Sequence, residues 1–423
     1  MERIINQNHP KSAYSLISAK FFGAMFYYSL RSLLFLFMLR EVANMDQKEA
    51  LKLYDWFIGS LLISGIIGAL LGDLVLGNRK SVIIGGIFQI LGAFSLCFNT
   101  SLGLYSGLLL ITLGYGLYSP NITSIFGKQY LTKTKLLTSA YSLFFTIGYI
   151  GAFFGALISL VLVFDGVVKL GFIINTVFMI ISLFFFLYFK DNTGESQEEV
   201  DLTGFDVNVI DDKTVFIDQK KAYTTMTLKQ RILMISGALL LISIFWALFD
   251  QNNQLISQIS TKFDTGLFFG ISDEAKSKIA ELYMIPLGII FFIIWSYYYS
   301  NTLIKLSIAF FLCAFGLGLL SVIPNTPTDK FLALYLIETL FMALSEVYLS
   351  PVINTLLTKH MNTKYLSIML AVVNLSIRCM TYLTTVFSHL YTIWIGISIM
   401  SLLGSFILFF YFFNRKKIII NNI

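Results

Sequence analysis

Apolar runs long enough to fill a bilayer recur along the whole chain, at about 14–39, 54–76, 82–98, 103–126, 136–164, 168–189, 232–257, 280–299, 303–323, 331–357, 364–388 and 391–413. A helix rising 1.5 Å per residue needs roughly 20 apolar residues to cross about 30 Å of hydrocarbon. Because a lipid-exposed backbone must satisfy its own hydrogen bonds, each run predicts a transmembrane helix. The pattern is that of an all-α polytopic membrane protein with twelve spans, and an even number puts both termini on one side. Six spans precede and six follow the one long polar stretch. The predicted organisation is a six-helix bundle over 1–189, an acidic linker over 190–230 and a second six-helix bundle over 231–423.

Composition agrees. Of 423 residues 57% are hydrophobic and only 13% charged, against about 25% charged in soluble domains. A soluble enzyme, a disordered chain and a secreted disulfide scaffold are excluded. Cys97, Cys313 and Cys379 lie in separate apolar runs, and His9, His360 and His389 are scattered, so no metal site or redox pair is expected. With the termini placed in the cytosol, 19 of the 30 Lys and Arg fall in cytosolic connections and 8 outside, leaving Lys20, Arg31 and Arg378 within spans. That bias supports cytosolic termini and explains the net charge of +6 as topology, with no nucleic-acid partner implied. The start, MERIINQNHPKSAYS, lacks the short apolar core of a signal peptide and reads as a retained cytosolic tail. The linker, with GESQEEVDLTGFDVNVIDDK, reads as a solvated connection with a short strand at 214–217, a regulatory role being the alternative.

Chemistry in such a chain lies with charges inside the spans, each costing about 2.5–3.5 kcal/mol at mid-span unless paired or wet. On span one, Lys20, Tyr27 and Arg31 return to within about 20° of one another at about 100° per residue and form one polar stripe, with Tyr28 beside it. The plainer reading has Lys20 and Arg31 snorkelling to opposite interfaces. Span seven carries FWALFDQNNQ, where Trp246, Asp250 and Gln254 repeat every four residues; Asp250 is either a buried acid or an ordinary solvated one at the span's outer end. Span ten holds Glu338 and Glu346, eight residues apart and about 80° apart in direction. Glu346 lies deeper, and pairing with Arg378 is its structural alternative. Gly148, Gly151 and Gly155 on span five suit close helix packing.

Five segments carry a resemblance. FYYSLRSLL at 26–34, GALLGDLVLGNRK at 68–80, GYGLYSPNIT at 114–123, FWALFDQ at 245–251 and SEVYLSP at 345–351 resemble, in order, motifs of the proton-dependent oligopeptide transporters, the peptide-transporter family of the major facilitator superfamily. The two six-helix halves fit that superfamily, whose halves rock about a central site. The resemblance implies that Tyr27, Tyr28 and Arg31 line the N-terminal side of a peptide pocket, with Arg31 attracting the peptide carboxylate. It further implies that Glu346 binds the amino terminus, that Trp246 packs beside the cavity and that Asp250 takes the seventh-helix gating position. Asp73, Arg79 and Lys80 would form a cytosolic latch, the alternative being a plain positive-inside loop.

The departures matter as much. Where the family reads ExxER before its aromatic pair, this chain has Lys20, Gly23 and Ala24; the fourth-helix lysine is Ser119, and the eighth-helix Asn-Pro is Ile285-Pro286. Losing a whole buried network strands no charge, whereas losing part of one costs about 3–5 kcal/mol. Proton coupling, if retained, then falls to Asp250, Glu346 and Glu338, with Lys20 supplying a fixed positive charge that favours anionic cargo or replaces the lost lysine. The expected function is import of di- or tripeptides or peptide-like zwitterions by alternating access, driven by a proton gradient and without a cofactor. The expected setting is a monomer in a bacterial inner membrane, with short peptides and the lipid bilayer as partners. The alternatives are an anionic or nucleoside-like cargo, uncoupled exchange, or a transporter-derived sensor. An enzyme is not expected, because no span offers a nucleophile, base and orienting acid.

Overall fold

The computed structural model of the protein describes residues 2–3, 8–40, 46–98, 100–164, 168–188, 228–260, 279–324, 329–387 and 391–420. Twelve helices among them follow the apolar runs in order. The first six are α1 (Lys11–Arg40), α2 (Gln47–Leu71), α3 (Asn78–Ser95), α4 (Ser101–Lys128), α5 (Leu137–Phe164) and α6 (Val168–Tyr188). The second six are α7 (Leu228–Ser260), α8 (Ile279–Tyr297), α9 (Thr302–Leu320), α10 (Leu332–His360), α11 (Leu366–Val386) and α12 (Ile393–Ile420). Nine are long and apolar enough by themselves to cross a membrane, and α8 adds a shorter apolar segment, Leu282–Tyr297. Nearly all of the expected linker, including the strand at 214–217, lies outside the described residues.

Several helices run past their apolar windows because polar caps carry them on. Asp46 accepts from the Glu49 amide at 2.7 Å and starts α2 two turns ahead of its apolar run. Thr100 and Asn301 cap α4 and α9 in the same way. After α2 the chain makes one wide π-turn, Gly72–Leu76, and then turns sharply at Gly77, whose φ of 80° suits glycine. That turn delivers Asn78 to the start of α3.

Buried apolar side chains form two large clusters, one drawn from residues 13–186 and the other from residues 242–407. In the first half α1 lies against α5 and α6, and α4 against α2 and α3; in the second, α9 lies against α10 and α12, and α7 against α11. The α1–α5 contact depends on the glycines of span five: a Cβ on Gly151 would come 2.5 Å from the Phe21 carbonyl oxygen, and one on Gly155 2.5 Å from that of Met25. Between the halves, α5 packs on α8 and α10, and α11 packs on α2 and α4.

Candidate functional site

The first-half wall is built from tyrosines around one guanidinium. Arg31 donates from Nε to the Tyr54 hydroxyl at 3.1 Å and lies 5.8 Å from the centre of the Tyr27 ring. Tyr27 stacks on Tyr115 with centroids 5.2 Å apart and meets Tyr28 edge-on at 5.2 Å. Among the described residues Arg31 makes no ion pair, so its charge is screened by ring faces and one hydroxyl. Tyr28 is exposed beside it. Lys20, three turns earlier on α1, has its ammonium 5.2 Å from the Phe144 ring centre and its stem against Gly148 of α5. Among the described residues that ammonium has no hydrogen bond or ion pair.

On the second-half wall Asp250 accepts from Thr381 Oγ1 of α11 at 3.1 Å, and the charge of Arg378, one turn earlier on α11, acts on it. Asp250 thus has a hydroxyl partner on α11 within its own half. Trp246, one turn before it, meets Phe249 edge-on at 5.3 Å. Glu346 looks the other way, across the seam: its carboxylate accepts from the Tyr149 hydroxyl of α5 at 2.6 Å. A narrow cleft lies beside this bond, lined from α5 by Ser142, Thr146 and Tyr149 and from α8 and α10 by Met284, Glu346 and Ser350. Glu338 does not join these groups. It is fully buried inside the second half, bonded to Asn252 of α7 at 3.2 Å.

The seam is closed by hydrogen bonds that run from Glu346 toward the end of the bundle carrying the termini. Tyr141 bonds Thr358 at 2.7 Å, Thr355 bonds Thr138 at 3.3 Å, and Ser142 donates to the Gly288 carbonyl at 3.2 Å. Beside them Asn78 Nδ2 lies 2.8 Å from each of Asp73 Oδ1, Asn121 Oδ1 and Ser367 Oγ, while Lys128 donates to Asn78 Oδ1 at 2.6 Å. The other oxygen of Asp73 accepts the Ile368 amide of α11 at 2.9 Å. Asp73 therefore bridges the halves directly. Arg79 and Lys80 follow on the first turn of α3, with Lys80 exposed.

At the same end the N-terminal segment crosses the seam. Glu2–Arg3 pairs antiparallel with Tyr298–Tyr299, which follows α8, and Lys133 donates to the Asn8 carbonyl at 2.7 Å. The His9 ring sits between Tyr130 Oη and Ser296 Oγ, each at 3.1 Å. Burial and the Lys133 ammonium hold that imidazole below its ordinary value.

Sequence reading missed Tyr54, Tyr115, Tyr149, Asn78, Asn121 and Lys128. Asn78, Asn121 and Tyr115 stood within quoted motifs without a role, and Tyr54 and Tyr149 gave no signal because an aromatic is ordinary in an apolar run. Among the described residues no group of three His, Cys, Asp or Glu could hold a metal ion.

Two six-helix bundles meeting at a polar seam, with charged side chains in the spans of both, are the architecture of membrane transporters built from two repeated halves. The chain belongs to the Major Facilitator Superfamily, whose family profile matches residues 21–380. It is similar to "Uncharacterized transporter YclF" of Bacillus subtilis (30% identity over 142 residues, 32% of this chain and 29% of the relative). It is also similar to dipeptide and tripeptide permease A of Pectobacterium carotovorum (26% over 183 residues, 42% and 36%). The matched stretch is about a third of the length of these curated relatives. Among solved structures, a POT family transporter in complex with a thioalcohol-conjugated peptide superposes with a TM-score of 0.61 at 18% identity, covering 99% of both chains. Peptide transporter POT in complex with sulfate does so with a TM-score of 0.59 at 20% identity, covering 96% of this chain and 94% of that one.

Proposed function

We propose that the protein is a divergent peptide transporter that imports di- or tripeptides, or peptide-like zwitterions, by alternating access. What supports the reading is that both halves carry charge in their spans. Arg31 stands in a tyrosine cradle on one wall, while Glu346 and Asp250 stand on the other. A zwitterion needs a cation for its carboxylate and an anion for its ammonium, with aromatic faces between them that accept varied side chains. The peptide permease and peptide transporters among the relatives support the same cargo.

Coupling runs through the carboxylates that touch the seam or the cavity wall. Glu346 holds the halves together through Tyr149, so a substrate ammonium or a proton on that carboxylate competes with the inter-half bond. Asp250, bonded to Thr381 of α11, is the second carrier. Both termini are cytosolic in this reading, so the hydrogen-bonded end is the cytosolic gate and the structure is sealed on that side. The protein works as a monomer in a bacterial inner membrane, driven by the proton gradient.

Lys20 favours a second reading of the cargo. An ammonium without an anionic partner, where an acid would be expected, suits a substrate with an additional negative charge. Exchange of labelled dialanine by purified protein in liposomes, without any gradient, tests the cargo. Saturable exchange that is lost in Arg31→Ala and in Glu346→Gln supports the peptide reading. Absence of dialanine exchange alongside exchange of an acidic dipeptide, abolished by Lys20→Met, moves the assignment to anionic cargo.

A further inference from the structure

The two halves of this fold are parallel repeats related by an axis along the membrane normal, so a position at one flank of the closed end has a counterpart at the other. At the first flank Asp73 stands between α2 and α3, five residues before Asn78, which begins α3. Its Oδ2 accepts the Ile368 amide on the first turn of α11 at 2.9 Å and ties the halves together. The counterpart in the second half is the α8–α9 connection, where Asn301 caps α9. Five residues before Asn301 stands Ser296, on the last turn of α8. Across from it lies the α4–α5 connection, whose Lys135 ammonium comes 5.9 Å from the centre of the Tyr299 ring.

Ser296 does not donate across this flank, because its hydroxyl directs its one proton to the Phe292 carbonyl a turn earlier, at 2.7 Å. An imidazole bridges the gap instead. His9 Nε2 lies 3.1 Å from Ser296 Oγ, and His9 Nδ1 lies 3.1 Å from the Tyr130 hydroxyl of the α4–α5 connection. Since Ser296 Oγ can only accept, the ring proton sits on Nε2, which leaves Nδ1 to accept from Tyr130. The bonds therefore run one way, from the Tyr130 phenol through the ring to Ser296 and on to the Phe292 carbonyl. Ring contacts seat the imidazole too, with Tyr130 edge-on at 5.7 Å between centroids and Phe292 at 5.4 Å. Tyr130 is 1% exposed, so in the closed state its hydroxyl depends on a protein partner. The segment carrying His9 is fastened on both sides of the seam. Ser12 donates to Gln129 at 3.0 Å and Lys133 to the Asn8 carbonyl at 2.7 Å in the first half, while Glu2–Arg3 pairs with Tyr298–Tyr299 in the second.

We propose that His9 is the second latch of the closed end, an imidazole supplied by the segment before α1 at the flank where the other repeat uses the Asp73 carboxylate. When the halves part at this end, the Tyr130–His9–Ser296 bridge breaks together with the Asp73–Ile368 bond. The assignment rests on the rocking of the halves in the proposed function and is independent of the cargo.

Spin-label distances in the purified full-length protein, with its three native cysteines replaced and without substrate or gradient, test it. One label pair, Thr132 and Ser300, spans the His9 flank; the other, Val75 and Lys364, both exposed, spans the Asp73 flank. His9→Phe keeps the ring and removes both hydrogen bonds. At about 0.5–1.5 kcal/mol each, their loss should raise the ratio of open to closed molecules about fivefold or more. Longer distances are expected in both pairs, because each half moves as a body. Ser296→Ala and Tyr130→Phe, which remove one bond each, should give smaller increases in both pairs. Asn8→Ala should change neither, because Asn8 contributes only its backbone carbonyl. Lengthening confined to Thr132–Ser300 would mean local loosening of the segment and overturns the latch. No change in either pair with His9→Phe overturns it as well. Asp73→Ala separates that failure from a failure of the proposed function: if it lengthens both pairs while His9→Phe lengthens neither, the halves rock but His9 does not latch them.

Discussion

Arg31 contributes more than its charge. The guanidinium donates through Nε to Tyr54 while its Cζ lies 5.8 Å from the centre of the Tyr27 ring, and a compact ammonium is less suited to hold both contacts at once. A hydrogen bond involving a charged group is worth about 1.5–3 kcal/mol, and each 1.4 kcal/mol is about tenfold in affinity. Arg31→Lys is therefore expected to raise the KM for dialanine exchange by about tenfold or more, with protein folding and maximal exchange rate little changed. An unchanged KM would mean that the cradle around Arg31 does not position substrate. At this scale the sequence was legible only where a residue was anomalous. Arg31, Asp250 and Glu346 stand out because a charge in an apolar run demands a reason. Tyr54, Tyr115 and Tyr149 do not, and which tyrosines turn toward the seam is fixed by packing between helices far apart in the chain. Glu338, about 80° of helix rotation from Glu346 and the weaker of the two candidates in the sequence, lies in the interior of its own half.

Helices were the most legible elements, since twelve apolar runs became twelve helices in the same order. Their ends were less so, because an apolar window ends where side chains meet water while the helix continues to its cap, as α2 does to Asp46. The π-turn at Gly72–Leu76 and the pairing of Glu2–Arg3 with Tyr298–Tyr299 left no readable pattern. That pairing makes the N-terminal segment a strap across the closed end, with His9 as its clasp. With the strap fastened, His9 is held below its ordinary pKa of about 6.5, so the fastened state favours neutral imidazole. Strap stability is then full above about pH 6.5 and declines as pH falls from there through the lowered value. Spin labels at Thr132 and Ser300 should report a growing population of longer distances between pH 8 and pH 5.5 in the intact protein. His9→Gln should remove that pH response. A distance distribution that ignores pH in both would show that the clasp does not hold the end shut.

For the whole molecule, the two halves and their superfamily were readable from helix count, polar midpoint and scattered motifs. The seam was not, because its hydrogen bonds join residues such as Asp73 and Ile368 that only the packing of two bundles brings together. What the seam shows is a gate built mostly from neutral groups, with Asp73, Lys128 and Glu346 as its charged members. A bundle sealed in this way opens when a few weak bonds exchange partners, at about 0.5–1.5 kcal/mol each, which suits a carrier that must rock in both directions. With no ExxER motif on α1, the proposed coupling rests on carboxylates of the second half. The most direct test is accumulation of labelled dialanine in proteoliposomes under an inside-negative potential, with and without an acid-outside pH gradient. The account predicts saturable accumulation that rises with the gradient and is lost in Asp250→Asn and in Glu346→Gln. Accumulation that ignores the gradient, or that survives both substitutions, would contradict it.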